Sequence, residues 1–157
     1  MEFQKYIQKK LINYTILRTI LVFGKAENPN RSNIVLWVKN SLENNKSISV
    51  ITDQYRMPTF SKSLAQACLL SVQKRAKGIF HISSNELLSI YNIALQIAEV
   101  FELNSELITP ISTKKLNQKA KRPKKTGFNL EKSMSKLEYK PKSFKEELKL
   151  FKTEFPH

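Results

Sequence analysis

Glycine is scarce: three residues in 157, at Gly24, Gly78 and Gly127, no two of them close together. A dinucleotide-binding turn needs clustered glycines, because only residues without a Cβ let backbone amides close on a pyrophosphate at a helix N-terminus. Neither that turn nor a phosphate loop is encoded here. The single cysteine, Cys68, excludes an internal disulfide, and His81 and His157 lie too far apart for metal-ligand spacing. No apolar run reaches the roughly 18 residues of a membrane-spanning helix. The apolar stretch from Leu11 to Phe23 is interrupted by Asn13 and Arg18 and leads to no small-residue cleavage site, which argues against a signal peptide. These absences point to a cytoplasmic protein with no structural metal.

Acidic residues are also few, 13 against 27 lysines and arginines, so the formal net charge is +14. That excess fits three kinds of anionic partner: nucleic acid, an anionic membrane surface or a phosphorylated small ligand. It also fits a lysine-rich solvated surface with no partner at all. The densest basic run, Lys114, Lys115, Lys119, Lys121, Arg122, Lys124 and Lys125, contains no aromatic residue to stack bases, and no nucleic-acid-reading motif accompanies it. A nucleic-acid role therefore rests on charge alone.

What the chain does contain is alternation of strand and helix patterns. Phe3, Tyr6, Ile7 and Leu11 recur at helical spacing, and Tyr14 to Phe23 reads as a strand buried on both faces. Ile34, Trp37, Val38 and Leu42 form a helical stripe before a strand at 47–51. Ser61 is placed to cap a helix carrying Leu64, Cys68 and Val72, and Gly78 opens a strand to Ser83. Ser89 begins a helix faced by Ile90, Ile93, Ala94, Ile97, Ala98 and Phe101. A short strand at 107–111, a basic loop at 114–125 and a short helix capped by Asn129 follow. Ser143 with Glu146 makes a capping box for a last helix with Phe144, Leu148, Phe151 and Phe155 on one face. The pattern predicts an α/β fold.

Four ordered segments carry a resemblance: Tyr14-Thr-Ile-Leu-Arg-Thr-Ile-Leu-Val-Phe-Gly24, Asp53-Gln-Tyr-Arg-Met-Pro-Thr59, Gly78-Ile-Phe-His-Ile-Ser83 and Ala120-Lys-Arg-Pro123. Together they are similar to the second half of the dTDP-4-dehydrorhamnose reductase family, from about Tyr14 to the last helix. The resemblance implies the C-terminal part of a Rossmann-like extended short-chain dehydrogenase: residues 1–30 as the tail of the catalytic helix and a buried sheet strand, and 31–157 as the substrate-binding region. It implies NADPH or NADH for the whole enzyme, with the glycine-rich turn and catalytic Tyr-x-x-x-Lys in a preceding half, lost upstream or supplied as a separate chain. Tyr6 and Lys10 have that spacing, but too little chain separates Lys10 from the Leu17-Arg18-Thr19 strand for them to be the pair. No catalytic residue, metal or cofactor is expected within this chain. A basic nucleic-acid-binding module and a non-catalytic regulatory subunit are the alternatives.

The family's second half holds a nucleotide-sugar, here expected to be a dTDP-sugar. Arginine suits that work, since its planar fork grips a diphosphate bidentately. Arg122 and Arg56 are the leading ligand contacts; Arg122 reads equally as one more surface cation. Asp53, Gln54 and Arg56 lie at a strand end, a usual place for ligand contacts; Asp53 and Thr59 equally suit bracing of the turn by local hydrogen bonds, and a mixed role is expected. Asn33 presents either an amide to a phosphate or a plain helix cap. Arg18, inside a strand, needs a carboxylate or ligand as partner. Two departures leave the sugar open: Leu21 stands where rhamnose-pathway enzymes usually carry tryptophan, and Ser63 where the family usually has aspartate. Trp37, Cys68 and His81 read as core residues.

Overall fold

A computed structural model describes residues 2–25, 32–116 and 122–155. Helix α1 (Glu2–Lys10) precedes strands β1 (Thr15–Arg18) and β2 (Val22–Phe23). Helix α2 (Ile34–Glu43), strands β3 (Ile48–Ile51), β4 (Tyr55–Arg56) and β5 (Thr59–Phe60), and helix α3 (Ser61–Gln73) follow. Then come β6 (Gly78–His81), β7 (Leu88–Ser89), α4 (Ile90–Phe101), β8 (Ile108–Ile111), β9 (Lys125–Thr126), α5 (Glu131–Leu137) and α6 (Phe144–Lys152). The expected α/β class holds, and three strand pairs are parallel: β1 with β6, β2 with β5, and β3 with β8. In a small mixed sheet β4 lies between β7, antiparallel, and β9, parallel.

The stretch read as one strand from Tyr14 to Phe23 is instead two, with Leu21 at φ 47 between them. A left-handed residue turns the chain, so β1 joins β6 while β2 joins β5. The main core packs α2, α4 and α6 against β2, β3, β5 and β8. At its centre Phe23 stacks on Phe60 at 5.3 Å and meets Phe144 and Phe151 edge-on at 5.5 and 5.8 Å. Such aromatic contacts add to simple area burial.

Two residues expected in the core lie outside it. Helix α2 buries Val35, Val38 and Leu42, and Trp37, one residue or about 100° off that stripe, is 41% exposed. Helix α3 buries the small residues Ser63, Ala67 and Ser71, so Cys68, Leu69 and Val72 face outward. The reason is close packing: a Cβ on Gly24 would sit 2.2 Å from Ser61 Oγ, so the helix start lies hard against the end of β2. Only small side chains fit under such a helix.

Ser61 is the first residue of α3 and does not cap it; Phe60 holds the cap position with no side-chain hydrogen bond of its own. Glu147 from α6 takes over, its Oε2 accepting from Phe60 N at 3.1 Å. The Ser143 and Glu146 capping box forms as the spacing predicts, and Ser89 caps α4 by accepting from Asn92 N. Asn129 Oδ1 accepts from Glu131 N at the start of α5.

Candidate anion site at the β4 and β9 strands

Strand β4 is only two residues long, and its pairing decides the site. Tyr55 lies in register with Lys125 and Arg56 with Thr126, so the basic segment from Arg122 onward is drawn alongside Arg56. Tyr55 N donates to Lys124 O at 2.7 Å, which pins the approach of the two segments. Lys125 Nζ lies 5.5 Å from the centre of the Tyr55 ring.

The half-buried Arg56 guanidinium is held by neutral oxygens: Nη1 donates to Tyr55 O at 2.6 Å and to Lys124 O at 3.4 Å, and Nη2 donates to Gln54 Oε1 at 3.2 Å. Burial, and then the neighbouring Arg122 charge, push Arg56 below its ordinary pKa. Among the described residues no carboxylate pairs with either arginine. Two like charges brought within electrostatic reach, one of them partly desolvated, is an arrangement that gains from a bound anion.

Gln54 is buried at 3% exposure, and its Nε2 donates to Thr113 Oγ1 at 3.2 Å. Asp53 Oδ1 accepts from both Thr113 N at 3.0 Å and Thr113 Oγ1 at 2.5 Å. Those bonds hold the Asp53 carboxyl below its ordinary pKa. Asp53 thus braces structure as expected, but through a residue 60 positions away rather than within its own turn. Thr59, wholly buried, donates to Ile20 O at 2.8 Å and ties β5 to the β1–β2 turn. Thr113 is the residue that the sequence pattern missed.

The remaining candidates stand apart from this pair. Asn33 Oδ1 accepts from Val35 N and Leu36 N, both at 3.1 Å, and its Nδ2 donates to Gly24 O at 2.9 Å. Its amide oxygen caps α2 and its amide nitrogen ties the helix start to the end of β2. Arg18 Nε and Nη2 donate to Gln4 Oε1 of α1 at 3.1 and 2.6 Å, so its partner among the described residues is an amide and not a carboxylate. It borders a cleft of about 440 Å³ with Ile79, His81, Asn129, Glu131 and Lys132. His81 is half-buried there, stacked on Phe128 at 4.5 Å. A larger cleft of about 720 Å³ is floored by Met57, Phe128, Leu130 and Tyr139, and neither Arg56 nor Arg122 lines it. Lys119 and Lys121 of the basic run lie outside the described residues.

A dinucleotide cradle does not fit the residues present. Gly24 is consumed by the close approach of Ser61, and Gly78, at φ +102, opens β6 in a conformation that disfavours any side chain. With Gly127 far along the chain, these glycines form no nest for a pyrophosphate among the described residues. Among the described residues no cluster of ligating side chains fits a metal ion either.

The model of the RmlD substrate binding domain matches residues 1–156. The chain belongs to that family. A curated relative, methionine adenosyltransferase 2 subunit beta of Rattus norvegicus, is 31% identical over 140 residues, covering 86% of this chain and 40% of that protein. The fold matches crystal structures of two dTDP-4-dehydrorhamnose reductases. One, from Clostridium acetobutylicum, has TM-score 0.87 at 24% identity and is matched over 97% of this chain and 52% of its own. The other, from Bacillus anthracis in complex with NADP, has TM-score 0.86 at 24% identity with the same coverage. The chain therefore spans two fifths of that curated relative and about half of these enzymes. The Rossmann-like extended short-chain dehydrogenase fold implied by the sequence resemblance is the fold observed, in part. No helix among the described residues is long and apolar enough to cross a membrane.

Proposed function

We propose that this chain is the nucleotide-sugar-binding portion of an NAD(P)H-dependent reductase of the dTDP-4-dehydrorhamnose reductase type. Turnover would require a nucleotide-binding half, attached upstream or supplied by another polypeptide. The observation carrying the proposal is the Arg56 and Arg122 pair, held together by the β4–β9 ladder with no acidic partner among the described residues. A diphosphate supplies two negative groups, and each guanidinium fork can take one of them bidentately. Hydride transfer needs the nicotinamide and a proton donor set against the substrate carbonyl. In the proposed division of labour this chain orients the substrate, and the other half delivers hydride and proton.

A second reading, a non-catalytic subunit, is favoured by the likeness to methionine adenosyltransferase 2 subunit beta. The two readings differ in ligand. Titration calorimetry with deoxythymidine diphosphate should give saturable binding to the wild-type chain, weakened at least tenfold in Arg56→Ala and Arg122→Ala, or about 1.4 kcal/mol each. No heat at any attainable concentration would remove the nucleotide-sugar reading and leave the subunit reading in possession. An oligonucleotide titrated at two salt concentrations provides the control, since binding that collapses with salt would instead mark a nucleic-acid module.

A further inference from the structure

We propose that Thr113 is a positioning residue for the anion site: through Gln54 it sets the orientation of the Arg56 guanidinium and keeps that charge uncancelled. The inference rests on the anion-binding reading of Arg56 and Arg122 given above.

One proton sets the direction of the whole network. The Thr113 hydroxyl has a single hydrogen, and its 2.5 Å contact with Asp53 Oδ1 can only be that hydrogen donated to a carboxylate. The hydroxyl oxygen is then an acceptor toward anything else. Gln54, 3.2 Å away, must therefore turn its amide nitrogen to Thr113. A side-chain amide has opposite ends, so its oxygen faces the other way, where Arg56 Nη2 donates to it at 3.2 Å. Were the amide reversed, two donors would face each other at the arginine and two acceptors at the threonine. Asp53, which does not touch Arg56 in this network, thus dictates what Arg56 meets.

The second half of the argument concerns charge. Asp53 could have held Arg56 directly, as carboxylates commonly do, but the guanidinium would then be neutralised and of little use to an incoming anion. In the observed arrangement the negative charge stays on Asp53, spent on the Thr113 donors, and a neutral amide passes on only the orientation. The other contacts to Arg56 are main-chain oxygens, also neutral. The fork is thus fixed on several sides and its charge is left for ligand. Fixing it in advance spares the ligand the entropy of ordering a long side chain.

The test separates orientation, charge and ligand identity. In the free chain, NMR of the arginine guanidinium groups should show hindered rotation about the Arg56 Cζ–Nη bonds. Thr113→Val, nearly isosteric, should release that rotation and weaken deoxythymidine diphosphate binding roughly three- to tenfold, while Thr113→Ser should retain both. Gln54→Glu should keep the rotation hindered yet weaken binding more than Thr113→Val does, because it supplies the counter-charge the native network avoids. Arg56 signals in Thr113→Val indistinguishable from wild type would overturn the proposal, whatever happens to affinity. So would Gln54→Glu binding as tightly as wild type. If the wild-type chain binds no deoxythymidine diphosphate but Thr113→Val still frees Arg56, the nucleotide-sugar reading fails and the positioning network stands.

Discussion

Glu147 should make the stability of this fold fall as pH rises through the neutral range, and replacing it with glutamine should remove that fall. Its carboxylate is fully buried on α6 between Phe144 and Phe151, with Oε2 accepting from Phe60 N and Oε1 unpartnered. Burial pushes its pKa up to about 7; hydrogen bonds from Ser63 and Phe60 pull the other way, with smaller opposing influences from Lys142 and Glu146. A carboxyl raised from 4.5 to about 7 on folding binds its proton more tightly in the native state. Between those values the folded protein holds more protons than the unfolded chain, so stability declines with rising pH and the decline is complete above about 7. From pH 5 to pH 8 the loss attributable to this one group is about 2–3 kcal/mol. In Glu147→Gln the amide oxygen can still accept from Phe60 N, and no charge is buried at any pH. Urea denaturation of both proteins at pH 5, 6, 7 and 8 measures the difference. The stability gap should move in favour of Glu147→Gln by about 2–3 kcal/mol across the series, a midpoint shift of about 5–10 °C if followed by heat. Parallel pH profiles for the two proteins would refute the reasoning, since every other titrating group is common to both.

Three further outcomes follow from the packing. Phe23→Ala should cost about 3–5 kcal/mol in denaturant titrations, because Phe60, Phe144 and Phe151 all close on that one ring. Arg75→Gly should raise stability by about 0.5–1 kcal/mol: Arg75 sits at φ 46 just beyond α3, where Ala76 N donates to Ser71 O and Arg75 N to Val72 O in the double bond of a glycine-type helix end. Cys68 should react with a maleimide in the native protein as fast as a free thiol, since it is exposed on α3; protection that vanishes only on unfolding would contradict the observed rotation of that helix.

Features legible in the sequence are those whose physics is local. Ser143 and Glu146 satisfy each other's helix-end groups within one turn, so four residues suffice to read the capping box. Ser89 and Asn33 announce helix starts in the same way. The rotation of α3 is different in kind. Leu64, Cys68 and Val72 form an apolar stripe by spacing, yet the helix buries Ser63, Ala67 and Ser71 because β2 ends in a glycine pressed against Ser61. That contact joins residues 37 positions apart, and nothing near α3 in the sequence records it. Glu147 is the same case on α6: its own turn predicts a helix, but its burial is set by the uncapped start of α3, 87 residues earlier.

The site divides along the same line. Residue types that can grip a diphosphate are visible wherever they stand, which is why Arg56, Arg122 and Gln54 could be named from sequence, and the β4–β9 register brings their segments together. What makes the arginines useful is invisible locally, because it depends on which acceptors meet them and on the charge those acceptors carry. Thr113 has no motif around it and gains its role only because β8 delivers it to Asp53 and Gln54 from 60 and 59 residues away. A cation held by neutral groups is the opposite of what stability alone favours, since a paired arginine would be cheaper to half-bury than an unpaired one. The network around Arg56 forgoes that pairing although a carboxylate stands three residues before it in the chain. On the proposed reading, that orientation without neutralisation answers a ligand's requirement rather than the fold's.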